Sequence, residues 1–241
     1  YDRYDIWEFE PTTGRMSILT EGRTEKIAYR LPIYLMSNVF KKFDGYETHV
    51  IPLKKGLFLL AKSDSGDSGY CFWKRNLPMK PFLTDGLTNQ FFVKDSDIVY
   101  IEQRFDLPPQ IMKNNRQFKQ NLVVQSNPNY SKYDWGRVEM IDYTNSKGQA
   151  LKGFLCYPSH YEMGKQYPMI VHIYQRQFSY MHYFEPPSLY PSEGFVPSNY
   201  TTQGYFVFFP DIVFDLKATG PSALDCTLAG VNAVLGRGEV N

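Results

Sequence analysis

Two runs in the C-terminal half constrain the fold most: Met169–Tyr174 (MIVHIY) and Tyr205–Phe209 (YFVFF) are apolar almost without a break. A strand with one face in water alternates apolar and polar residues, whereas a strand covered on both faces reads as a continuous apolar run. A hairpin pattern precedes them, with Val138–Tyr143 (VEMIDY) and Ala150–Tyr157 (ALKGFLCY) flanking the turn residues Asn145-Ser146-Lys147-Gly148. The second run ends at Pro210-Asp211, and Pro221–Leu235 then reads as a helix. Leu224, Leu228, Val231 and Leu235 stand at i, i+4, i+7 and i+11, one apolar stripe of the kind that faces a core. Pro221 suits a first helical turn, and Gly236 or Gly238 the C-terminal end. Hairpin, buried strand, loop, buried strand and helix predict an α/β domain whose sheet starts antiparallel and turns parallel.

The N-terminal half has a different rhythm. From Tyr1 to about Met112, short β-like runs alternate with turn residues. Tyr4–Glu10 (YDIWEFE), the turn Pro11-Thr12-Thr13-Gly14 and Arg15–Leu19 (RMSIL) form a hairpin signature. Further runs are Leu31–Met36, Thr48–Pro52, Leu57–Lys62, Tyr70–Arg75, Gln90–Val93 and Ile98–Arg104; only Ser37–Lys42 could pass for a helical turn. Strands spaced this closely fit either a β-sandwich or propeller blades. Leu19-Thr20-Glu21-Gly22 and Leu83-Thr84-Asp85-Gly86 are near-copies, about one and a half blades apart at ~40–50 residues per blade. Pro108-Pro109 and the polar stretch Lys113–Gln120 (KNNRQFKQ) read as a connector, which places the domain junction near residues 113–135.

Composition removes several classes of function. With 26 Lys+Arg against 25 Asp+Glu, the net charge is +1, and no long basic block offers a nucleic-acid or anionic-membrane surface. Aromatics reach 17%, which favours pleated, half-buried surfaces; core and cross-strand packing explains them more simply than a carbohydrate or peptide cleft. Cys71, Cys156 and Cys226 are odd in number and far apart, so neither a disulfide framework nor a zinc site is expected. No apolar run approaches the roughly 20 residues that span a bilayer.

Few motifs carry chemistry. Gly66-Asp67-Ser68-Gly69 copies the surroundings of a chymotrypsin-type nucleophile, but Tyr70 follows it and it sits in a Gly/Ser/Asp turn. His49, His160, His172 and His182 make no metal-ligand spacing, and each reads as a core or surface histidine. There is no Gly-rich phosphate loop and no G-x-S-x-G elbow, so no cofactor or metal is expected.

Residues from Asn127 onward resemble the opening of a prolyl-oligopeptidase catalytic domain, the dipeptidyl-peptidase-IV-like branch most closely. Asn127-Pro128, Trp135-Gly136 and Leu151-Lys152-Gly153-Phe154-Leu155-Cys156-Tyr157-Pro158 come first. Lys165-Gln166-Tyr167-Pro168-Met169-Ile170-Val171-His172-Ile173-Tyr174 and Gln203-Gly204-Tyr205-Phe206-Val207 with Pro210-Asp211 follow, then Ser222–Asn241. The resemblance is good over residues 100–241 and weaker before them, where it favours propeller over sandwich. It implies a mixed fold: the C-terminal blades of a β-propeller with a connector over 1–125, and the N-terminal part of an α/β-hydrolase domain over 126–241, ending before the nucleophile elbow.

The resemblance implies a serine peptidase of short peptides whose Ser, Asp and His lie outside this chain, which alone would be inactive. It assigns one site residue, Tyr174, as an oxyanion-hole donor beside a backbone N–H. Expected partners are the peptide substrate, the remaining half of the hydrolase domain and a second copy of the chain, without nucleic acid. The expected compartment is periplasm or cell surface, with cytoplasm as the alternative. The sequence departs from the family where small residues usually follow the tyrosine: it has Gln175-Arg176-Gln177. The loop Asp215-Leu216-Lys217-Ala218-Thr219-Gly220 departs likewise, keeping only Gly220. These changes leave an acyl-ester substrate, or an inactive binding scaffold, as alternatives.

Overall fold

Alternation along two neighbouring strands shows how the N-terminal half is built. In the computed structural model, which describes residues 2–32, 51, 53–94, 97–114, 119–190 and 194–241, β1 (Trp7–Glu10) and β2 (Arg15–Ile18) form an antiparallel ribbon. A four-stranded sheet follows in meander order: β3 (Ile27–Arg30), β4 (Leu57–Ser63), β5 (Ser68–Trp73) and β6 (Pro81–Thr84). A second sheet runs through β7 (Leu87–Lys94), β8 (Asp97–Arg104), β9 (Leu107–Asn114) and β10 (Gln120–Gln125), again with sequential strands adjacent. On β4, Leu57, Leu59 and Ala61 join Ile27, Tyr29, Cys71 and Trp73 in one core. Phe58 and Leu60, one residue out of phase, pack instead with Tyr70, Phe91, Ile98 and Tyr100. Period-two alternation thus sends residues to two separate cores, as stacked propeller blades require.

Of the near-copies, Leu19–Gly22 follows β2, and Leu83–Gly86 takes in the last two residues of β6 and the two beyond; β2 and β6 are the last strands of successive sheets. The copies are therefore one blade apart, and the excess spacing comes from the long connection between β3 and β4. Buried Asp5 organises the first copy, accepting from the Thr20 hydroxyl at 2.8 Å and the Gly22 N–H at 2.6 Å ahead of α1 (Gly22–Glu25). At the second, the Thr84 hydroxyl donates to the Ser68 carbonyl at 3.0 Å.

Lys113–Gln120 does not act as a plain connector: its ends belong to β9 and β10, which pair antiparallel from Asn114↔Gln120 to Gln110↔Gln125. β10 is the edge strand of its sheet and five of its six residues are exposed, so polar residues suit it and its sequence lacks a buried-strand signature. The Leu31–Met36, Thr48–Pro52 and Ser37–Lys42 readings lie almost wholly outside the described residues.

The chain divides into two units, Tyr1–Glu102 with Gln110–Gln125 and Gln103–Pro109 with Ser126–Asn241. The second contains a four-stranded sheet in the order β11 (Val138–Thr144), β12 (Ala150–Cys156), β14 (Phe206–Pro210) and β13 (Met169–Val171). The first two pairings are antiparallel and β13–β14 is parallel, as the run order predicts. β14 is buried at every position. Phe206 and Phe208 join Ile141, Tyr143, Leu155 and helix residues on one side; Val207 and Phe209 join Phe154, Cys156, Met181 and Phe105 on the other. A strand with a core on each face has no polar position to alternate with, hence its continuous apolar run.

Between β13 and β14 lies the short helix α2 (Pro197–Thr201), and after β14 comes α3 (Thr219–Leu235). Of the Leu224–Leu235 stripe, Val231 alone packs against the core, half-buried, while its three leucines face outward. Leu224, Leu228 and Leu235 are 60%, 50% and 44% exposed, whereas Ser222, Cys226, Thr227, Gly230 and Val234 are buried. Small residues let the helix axis approach the sheet, and at Gly230 an added Cβ would lie 2.9 Å from the Phe208 ring. Beyond α3, Val240 makes a parallel bridge with Tyr167 just ahead of β13. Among the described residues no helix is long and apolar enough to cross a membrane.

Candidate active site

β13 is shorter than the apolar run that encodes it. The ladder ends with the His172 N–H donating to the Phe208 carbonyl at 2.9 Å, and Ile173 and Tyr174 then leave the sheet. The chain turns sharply around Asp211, the residue following β14, which is 5% exposed. One Asp211 carboxylate oxygen accepts the backbone N–H of Gln177 at 2.5 Å and of Phe178 at 3.0 Å, while the Ile212 N–H donates to the Gln175 carbonyl. Burial pushes the Asp211 carboxyl above its ordinary range, against the two N–H bonds and the charges of Arg176 and Lys152.

Gln177 explains one departure from the family pattern. It is 6% exposed, and its side-chain amide folds back on the strand end: Nε2 donates to the His172 carbonyl at 3.1 Å and Oε1 meets His172 Nδ1 at 3.0 Å. Where the family has small residues, this chain has a buried amide that ties the two ends of the Tyr174 loop together.

The loop borders a cleft of about 680 Å³ at the carboxyl ends of the parallel pair β13 and β14. Phe105, Phe154, Phe195 and Phe209 give it aromatic walls, while His172, Tyr174, Gln177 and Glu185 supply its polar groups. Its size is that of small-ligand sites, its lining mixes aromatic walls with polar groups in comparable share, and crevices outside the carboxyl ends of strands are where open α/β sheets bind ligands. Tyr174 is 72% exposed and makes no hydrogen bond among the described residues.

The other residues singled out from the sequence stand apart from this cleft or do structural work. Ser68 of the Gly66–Gly69 motif is 3% exposed; its oxygen accepts the Thr88 N–H at 2.6 Å and its hydroxyl faces the Gly86 carbonyl at 3.2 Å. His160 is exposed, with its backbone N–H and its Nδ1 both on Asp134. His182 is buried, and His49 lies outside the described residues. His172, read from sequence as a core or surface histidine, is the one that lines the cleft. Among the described residues no three metal-ligating side chains come together.

No family model matches the chain, and no curated protein matches its sequence. Solved structures do. Dipeptidyl peptidase 4 of Porphyromonas gingivalis matches with a TM-score of 0.63 at 9% identity, covering 100% of this chain and 33% of that one. Acylaminoacyl peptidase of Pyrococcus horikoshii gives 0.60 at 12% identity, over 98% of this chain and 34% of the other. A puromycin-hydrolyzing peptidase of Mycobacterium tuberculosis gives 0.59 at 11%, over 98% and 37%. The fold is that of the prolyl-oligopeptidase peptidases. Blade sheets and hydrolase sheet are both covered, which settles propeller over sandwich. The chain spans about a third of the length of these three structures, and between 28% and 44% of others of the same kind.

Proposed function

We propose that this chain is part of a serine peptidase acting on short peptides, with the cleft beside Tyr174 receiving the substrate. The observation that carries this reading is the position of Tyr174: an exposed, unpartnered phenol at the carboxyl end of β13, on the rim of an aromatic cleft, in this fold. A hydroxyl held there is suited to donate to an oxyanion as charge develops on the scissile carbonyl oxygen. Asp211 and Gln177 hold the loop, so the donor is presented without a search. The 241 residues contain no G-x-S-x-G. On this reading nucleophile, base and acid are contributed from outside this chain, and the chain alone is inactive.

A serine-directed fluorophosphonate tests both parts. The 241-residue chain should stay unlabelled; labelling would overturn the placement of the nucleophile. In the parent protein, Tyr174→Phe should lower kcat/KM for peptide hydrolysis by about 10²–10³ with little change in KM, the loss typical of one oxyanion donor. An unchanged rate would remove Tyr174 from the mechanism.

A further inference from the structure

The His172–Gln177 pair fixes more than a loop. A backbone carbonyl only accepts, so the Gln177 group facing the His172 carbonyl at 3.1 Å must be its NH₂, and the oxygen of the same amide faces His172 Nδ1 at 3.0 Å. An amide oxygen only accepts as well. His172 Nδ1 therefore carries the proton, and in the neutral ring Nε2 is left with its lone pair. The ring cannot swivel, because it stacks on Phe195 (centroids 4.4 Å apart, 30° between planes) and leans on Phe209 at 5.1 Å. Nε2 has no partner among the described residues and is not sealed from solvent. The wall of the cleft thus presents a fixed hydrogen-bond acceptor between aromatic surfaces, on the same strand end as the Tyr174 donor.

We propose that His172 is a substrate-binding residue whose Nε2 accepts an amide N–H of a bound peptide, so that the cleft discriminates peptides from otherwise equal esters. This rests on the reading that the cleft receives the substrate. A donor and an acceptor two residues apart would let the site engage both a carbonyl oxygen and an N–H of one ligand. An ester replaces the N–H by an oxygen, which faces the Nε2 lone pair without a proton to share; a site built around a hydrogen bond rejects the analogue lacking it.

The test is a cycle between protein and ligand. Binding of N-acetyl-phenylalanyl-alaninamide to the full 241-residue chain is compared with each singly N-methylated version and with the ester analogue, in the wild type and in His172→Phe, which keeps a stacking ring. One N-methylated version and the ester should bind about 2- to 10-fold more weakly than the parent peptide to wild type, and equally weakly to His172→Phe. The ¹⁵N resonance of His172 Nε2 in wild type should also move on adding the peptide, a readout that survives if the variant fails to fold. If the peptide binds but the variant discriminates as the wild type does, or Nε2 does not move, the inference falls while the cleft remains a substrate site. If no peptide binds, the reading of the cleft falls with it.

Discussion

Glu139 on β11 shows how single residues hold the second unit together. Its carboxylate takes both arms of Arg237 at 3.1 Å and the Tyr157 hydroxyl at 2.7 Å, with Arg137 at 3.2 Å, and Arg137 lies over the Tyr157 ring at 3.4 Å. Burial alone would raise its pKa; Arg237, Tyr157 and Arg137 outweigh that and hold it at about 2, against an ordinary value of 4.5. A carboxyl with a depressed folded pKa contributes stability above its unfolded pKa and loses it as pH falls toward the folded one. Between pH 4.5 and about 2, the urea midpoint should fall more steeply in wild type than in Glu139→Gln, which cannot titrate. Equal slopes would show that the network carries no linked stability. None of this was legible from sequence: Glu139 and Arg237 are far apart in the chain and meet only because the end of α3 returns to β11. The cleft was partly legible. Tyr174 was singled out only through the family resemblance, and His172 and Gln177 were not singled out as site residues, since their contact exists only once Asp211 has bent the loop between them.

At the level of elements, the continuous apolar run of β14 was read correctly, that of β13 only in part, because it is a half-buried edge strand that ends at Val171, and the helix face was not. β14 was visible because five buried residues in succession have one explanation in a short strand. The stripe on α3 failed because it assumed that the largest apolar residues mark the buried face. This helix packs through Ser222, Cys226, Thr227, Gly230 and Val234, where small size is what the sheet demands. The distinction has a direct consequence. Gly230→Ala gains about 1 kcal/mol of helix propensity, but its Cβ meets the Phe208 ring at 2.9 and 3.0 Å and the Tyr143 ring at 3.1 Å. Both rings are buried core members, so overpacking of about 1–3 kcal/mol outweighs the gain. Denaturant unfolding should show Gly230→Ala destabilised, and Leu228→Ala, on the outward face, within about 0.5 kcal/mol of wild type. The reverse ranking would mean that the stripe is the packed face after all. Polar β10 was missed for the complementary reason: an edge strand with exposed residues has nothing to distinguish it from a loop except its partner.

For the whole molecule, exposed apolar surface is the property that follows from these elements. Leu224, Leu228 and Leu235 line one outward side of α3, while β13 is a sheet edge followed by Ile173, 56% exposed. A strand edge with unpaired backbone groups and a helix face of leucines are both surfaces that bind other chains, and contiguous apolar patches beyond a few hundred Å² are rare on monomers. The isolated 241-residue chain should therefore self-associate, with its mean mass in light scattering rising with concentration. Replacing Leu224 and Leu228 together by Glu should shift it toward monomer without loss of folded signal in near-ultraviolet circular dichroism, because both side chains point away from the core that Gly230 and Val234 occupy. A monodisperse wild type would show that these surfaces are too small or too divided to drive association. Association undiminished in the double variant would place the contact elsewhere, the β13 edge being the next surface to test with a charged residue at Ile173.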